Sequence, residues 1–185
     1  MFAQGGYLCR LEALDARVVR VARDAFESEG ERGSGASLRI SVIPRRRVVR
    51  LAYEAPHLTG EKGARWYDSH HALARMLSRE LAVTVHSYVL LPGEFEQVAA
   101  YGGGRRVGGD RLRYEDVEID GLGESLDDSG FEKLKSRWPL GHLAYVFGVT
   151  RDALLTLPWK EGYRMALDSQ EAAEALSNVL PPPAV

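Results

Sequence analysis

Cysteine is almost absent from the chain: Cys9 is the one instance in 185 residues. No internal disulfide can therefore staple the fold, and no paired-cysteine metal site can be drawn. Its setting, Tyr7-Leu8-Cys9-Arg10-Leu11, assigns it to the core as a small hydrophobe. Long apolar runs are missing as well. Nowhere do about 18 apolar residues follow one another, and no basic stretch leads into an apolar one near the N-terminus, so the cytoplasm of a bacterium is the expected location. Net charge is small, -2 at pH 7, which removes any general attraction to polyanions and leaves nucleic acid only a local patch to bind.

What is present is the composition of an ordinary globular protein, 45% hydrophobic and 27% charged. The length suits one domain with a full core, or a core domain with a small helical appendage. Residues 7 to 13 read as a strand, and Asp15 caps a helix with Val18, Val19, Ala22 and Phe26 at helical spacing. Leu38–Ile43 and Val48–Tyr53 alternate like two strands of a hairpin around Pro44 and three arginines. A second helix is expected from Tyr67 to Leu81, with Asp68 or Ser69 near its start. Trp66 is then placed just before that helix. Val83–Leu91 and Phe95–Tyr101 read as strands, and "GGGRRVGGDR" as a turn before a further strand over Leu112–Ile119.

From Gly121 to Gly130 the chain is acidic and glycine-rich, and afterwards the pattern turns helical. Helices are expected over Phe131–Lys135, Leu140–Phe147, Arg151–Leu157 and Asp168–Val179, the last capped by Asp168 or Ser169. The expected fold is α+β, ferredoxin-like in its βαββαβ order with one or two extra strands, and with a small C-terminal helical subdomain packed on the sheet. In domain terms, 1–120 is the sheet domain, 121–130 the connector and 131–185 the helical cap of the same domain.

The stretch "HLAYVFGVTRDALLTL", residues 142–157, has the spacing of a helix-turn-helix around Gly148. Reading DNA requires side chains aimed at base edges and cations on the phosphates. Thr150 and Arg151 are the candidates for the first role, and Lys133, Lys135 and Arg137 for the second. Asp152 opposes them, and Leu143, Phe147, Leu154 and Leu157 are expected to turn inward and cover the sheet. A structural corner explains the same residues without DNA.

The run "ALARMLSRELAVTVHSYVLLPGEFEQVAAYGGGRRVGG" and the ending "EAAEALSNVLPPPAV" resemble a group of small uncharacterised bacterial α+β proteins. In that group a helix leads into a strand and a hairpin, and the C-terminal helix ends in a Leu-Pro…Ala-Val motif. The resemblance spans about the last two-thirds of the chain. It departs from the pattern at Asn178 and Val179, which stand where the group has glycine and leucine, and in the three hairpin glycines where it has one. It implies packing helices at the Gly148 corner and no activity.

Chemistry is sparse. His57, His70, His71, His86 and His142 form no metal-binding spacing, and His70 and His71, neighbours on a helix, would point about 100° apart. Alternation sets His86 and Ser87 on opposite faces of a strand, which argues against a nucleophile pair. "YGGGRRVGGD" is followed by arginines and a strand rather than a helix, so it is a hairpin and not a phosphate loop. No cofactor is expected. Arg45, Arg46 and Arg47 at one turn, and Arg105, Arg106, Arg111 and Arg113 at another, could form a basic rim facing an acidic partner. Glu115, Asp116, Glu118, Asp120, Glu124, Asp127 and Asp128 gather opposite charge, suited to a basic partner or to a solvated connector.

The expected function is non-catalytic protein binding, in its most concrete form a bacterial immunity protein that neutralises a cognate toxin. The alternative is a DNA-binding transcriptional regulator using 140–157. A small hydrolase or transferase assembled from residues distant in sequence is the third class.

Overall fold

The period-2 segments pair as their alternation requires. The computed structural model describes residues 4–31, 35–116, 128–156, 162–167, 176 and 178–180. Its strands are β1 (Gly5–Arg10), β2 (Ser37–Ile43), β3 (Val48–Glu54), β4 (Val85–Leu91), β5 (Phe95–Gly102), β6 (Arg105–Arg113) and β7 (Gly162–Ala166). They form one sheet in the order β6-β5-β4-β1-β3-β2-β7, and every neighbouring pair is antiparallel. The helices are α1 (Ala16–Ser28), α2 (Gly60–Ser69), α3 (Ala72–Glu80), α4 (Asp128–Lys135), α5 (Pro139–Phe147) and α6 (Arg151–Leu155). This is an α+β fold.

Strand parity divides the core in two. Tyr7, Cys9, Val49, Leu51, Val85 and Val89 face α1, α2 and α3, forming the larger apolar cluster. Their sequence neighbours Leu8, Val48 and Tyr88, with Val98, face the other way and meet Leu140, Leu143, Phe147 and Leu154 of α5 and α6. The sheet is thus covered on both sides. Asp15 caps α1 as its position predicts, accepting from the Arg17 N–H at 2.8 Å. Cys9 is buried, and burial pushes its thiol up to about 12.

Three elements differ from the sequence reading. The helix expected over 67–81 is two helices, because His70 is extended at φ -111, ψ 108 and ends α2. The Ser69 hydroxyl donates to the carbonyls of Arg65 and Trp66, and the His70 Nδ1–H donates to the Trp66 carbonyl at 2.8 Å, so side chains satisfy the helix end locally. Asp68 and Ser69 therefore lie in the last turn of α2 rather than at a helix start, and Trp66 and Tyr67 lie inside it. His70 and His71 flank the break as C-cap and N-cap, and the His70 ring stacks on Trp66 at 4.6 Å.

The second difference is β6. Only Gly103 and Gly104 of the glycine-rich stretch are turn, both at positive φ as a two-residue hairpin loop demands. The strand begins at Arg105, and the expected strand over 112–119 gives way to a 3-10 turn at Tyr114–Asp116. The third difference is β7, which lies where no element was expected and pairs with β2. Of its five residues Met165 alone is buried, so it carries no alternation to read. The segment 131–185 thus contributes a strand as well as helices. Of the helix expected over Asp168–Val179, residues 176, 178 and 179 are helical, while Asp168, Ser169 and Leu157 lie outside the described residues.

Candidate binding site

Two buried charges fix α5 and α6 to their face of the sheet. Glu96 of β5 is fully buried; its carboxylate accepts from the Leu140 N–H at 2.9 Å, filling an open donor in the first turn of α5, and pairs with Arg151 at 3.3 Å. Arg50 of β3, 1% exposed, donates to the carbonyls of Ala153 (2.5 Å), Leu154 (3.1 Å) and Thr156 (2.6 Å), where a cation complements the end of α6. Burial lowers the Arg50 pKa from its ordinary value. The Tyr88 hydroxyl also donates to the Leu154 carbonyl, at 2.7 Å. Tyr114 closes over Glu96 at 3.5 Å, and burial followed by that carboxylate pushes its phenol up to about 12.

The corner between the helices is equally occupied. Gly148 sits at φ 67, and the Arg46 guanidinium donates to its carbonyl. Thr150 caps α6, its hydroxyl accepting from the Ala153 N–H at 3.2 Å. Leu143, Phe147 and Leu154 are buried on the sheet as expected. Arg151 and Thr150, the residues assigned to base contacts, are thus engaged in holding the corner. Lys133 and Arg137 are exposed, and Lys135 is half-buried.

Strand β6 stands at one end of the sheet. Its register with β5 places Arg111 and Arg113 opposite Gln97 and Phe95, and Arg106 opposite Tyr101, on the α2–α3 side. Asp110 lies opposite Val98 on the α5 side. Tyr101 pairs with Arg106 and Ala100 with Gly108, which leaves Val107 as the extra residue of a β-bulge, 65% exposed. Gly109, at φ 143, packs so closely on the backbone of Val98 and Ala99 that no side chain fits.

The two sides of β6 line different cavities. On the α2 side a space of about 480 Å³ is ringed by Arg65, Asp68, Glu94, Arg111, Arg113 and Glu115. Its charges are paired: Arg111 with Asp68 at 3.1 Å, Arg65 with Glu94 at 3.0 Å and Arg113 with Glu115 at 3.4 Å. Arg111 also lies 3.9 Å over the Phe95 ring. On the α5 side a groove of about 320 Å³ brings together His86, Asp110, Arg137 and His142 above an apolar floor that includes Val98, Ala100 and Leu143. Among the described residues, neither Asp110 nor Arg137 has an ion-pair partner. His86 Nδ1 is buried without a hydrogen bond, and burial lowers the His86 pKa, so the ring is neutral near pH 7.

The basic residues named from sequence are separated by this topology. Arg45, Arg46 and Arg47 lie at the β2–β3 turn, where Arg46 and Arg47 bond the backbone at Gly148 and Glu12. Arg105 and Arg106 lie at the same end of the sheet but four strand spacings away, roughly 19 Å. Arg105, Arg106, Arg111 and Arg113 do share a strand. Glu115 and Asp116 sit beyond its far end, Asp128 begins α4, and Glu118, Asp120, Glu124 and Asp127 lie outside the described residues. Sequence reasoning missed Asp110 altogether, weighed His142 only as a metal ligand, and weighed His86 as a metal ligand or as the partner of Ser87. Joining them requires the β4-β5-β6 order, although a histidine within the apolar strand Val85–Leu91 was already a local signal.

Among the described residues, no group of three or more His, Cys, Asp or Glu is placed to hold a metal ion, and no helix is long and apolar enough to cross a membrane. The fold and grooves define an α+β protein with a cationic edge strand. Comparison with protein-family models, curated proteins and solved structures finds no match.

Proposed function

We propose that the chain is a non-catalytic, cytoplasmic protein-binding domain that pairs β6 with an acidic extended segment of a partner protein. The β4-β1-β3-β2 core, in β-α-β-β-α-β chain order with α2 and α3 together filling the second helical place, supports a ferredoxin-like description in which β5–β6 and β7 extend the two edges. The single observation that carries the binding reading is the state of β6. It is a terminal strand, eight of its nine residues are exposed, and it bears four arginines against one aspartate. A terminal strand offers one row of backbone donors and acceptors to an added strand, and the arginines select the charge of that strand.

Charge also argues against a second copy. Antiparallel self-pairing centred on Gly109 sets Arg105 against Arg113, and a shift of one register step sets Arg106 against Arg111 or against Arg113. Like charges directly opposite one another are destabilising. A toxin carrying an acidic extended segment, neutralised by an immunity protein, is a partner of the right chemistry. The DNA reading loses its main support because Arg151 is held by Glu96 and Thr150 is spent on a cap.

The test is a fluorescence anisotropy titration with a labelled peptide of alternating glutamate and valine, its lysine–valine counterpart and a DNA duplex. The glutamate peptide should bind with an affinity that falls with salt, and the Arg105→Glu, Arg106→Glu double variant should lose it. Equal binding of the lysine peptide, or tighter binding of the duplex, would refute the proposal.

A further inference from the structure

The groove between α5 and β6 has a property that the paired cavity on the other side of the sheet lacks: among the described residues, its Asp110 and Arg137 have no ion-pair partner. The Asp110 carboxylate is oriented by the Arg111 N–H at 2.9 Å, which occupies one oxygen and leaves the other. Arg137, just before α5, lines the same groove and reaches no carboxylate among the described residues. The two groups are also not paired with each other, so the lining of one groove carries a negative group and a positive one that do not neutralise each other directly. Between them the floor is Val98, Ala100, Pro139 and Leu143, bounded by Val146.

That arrangement selects against simple ions. A lone anion drawn to Arg137 meets the field of Asp110, and a lone cation drawn to Asp110 meets Arg137. A molecule carrying both charges satisfies both, while the floor takes an apolar substituent. The volume, about 320 Å³, lies at the small end of ligand sites and is ample for a single amino acid. From these observations we infer that the groove binds a free α-amino acid with an apolar side chain, its ammonium on Asp110 and its carboxylate on Arg137. His86 adds a neutral ring nitrogen with no internal partner, and His142 lines the open side. This site is independent of the strand-pairing reading, since Asp110 and Arg137 could hold a small molecule whether or not β6 receives a peptide.

The experiment is isothermal titration of the full chain with L-leucine and L-phenylalanine, and with N-acetyl-L-leucine and L-leucinamide, which lack the ammonium and the carboxylate charge respectively. At least one free amino acid should bind, and each leucine derivative should bind about tenfold or more weakly than L-leucine, the loss of one charge-assisted contact. Asp110→Asn and Arg137→Gln, both at exposed positions, should each weaken the amino acid by a similar factor. In parallel, NMR of the imidazole protons should show His86 and His142 shifting on addition of L-leucine while His57 and His70 stay in place. Absence of binding by both free amino acids, equal binding of the derivatives, or binding that leaves the His86 and His142 signals unmoved would overturn the inference.

Discussion

The two faces of the sheet are built on different principles. The face under α1, α2 and α3 is apolar throughout its centre, and its charges sit at the rim in mutual pairs such as Arg111–Asp68 and Arg20–Glu80. The face under α5 and α6 has a smaller apolar cluster and depends on two charges taken out of water, Arg50 and Glu96, each bonded to a helix end. A large apolar area can hold three helices by burial alone. Two helices of nine and five residues bury less of it, and charged hydrogen bonds fix their ends on the sheet. The lesson is that the charges buried between sheet and helix, Arg50 and Glu96, lie on one face and anchor helix ends there, while the other face keeps its charges at a partly solvated rim.

The comparison breaks most visibly at its anchors. Arg50→Ala should cost about 3 kcal/mol or more, because the carbonyls of Ala153 and Thr156 lose a charged donor in a buried place. Glu96→Gln should cost less, about 2 kcal/mol, since an amide oxygen can still accept from the Leu140 N–H while Arg151 loses its counter-charge. Urea denaturation of each variant measures both, and amide exchange should show α5 and α6 opening before α1.

Acid should sharpen the same contrast. Burial holds the His86 and His71 imidazoles neutral in the folded chain, so as the pH falls the unfolded chain takes up its protons first, near the ordinary value of about 6.5. Stability is therefore present above that pH and is lost as the pH drops below it toward the lowered folded values. Each histidine can contribute a slope of at most about 1.4 kcal/mol per pH unit. His86→Gln should flatten the acid limb of a plot of urea midpoint against pH. The smallest effect belongs to the rim: Arg111→Ala should cost only about 1 kcal/mol, because its partner Asp68 is partly solvated, and added salt should shrink the difference.

Much of this architecture was legible in sequence where one physical signal dominated. Alternation located β2, β3 and β4, Asp15 announced α1, and the apolar spacing of Leu143, Phe147 and Leu154 gave the inward corner. The edges were illegible for a shared reason. An edge strand exposed on both faces, like Arg105–Arg113, has no buried side to impose alternation, and its glycines then read as turn. The break at His70 was hidden because apolar spacing continued across it. Arg50 and Glu96 stood in strands as charges whose partners only the third dimension could supply. The groove of His86, Asp110, Arg137 and His142 draws on three separate parts of the chain, which no local pattern connects.

The central claim is that β6 is a receiving edge rather than a merely exposed one, and amide hydrogen exchange along Arg105–Arg113, with and without the glutamate–valine peptide, tests it most directly. Alternate amides of β6 should be slowed by the peptide while those of the opposite edge, Gly162–Ala166, keep their rates. Unchanged exchange along β6 in the presence of bound peptide, or protection appearing at α5 and α6 instead, would contradict the account.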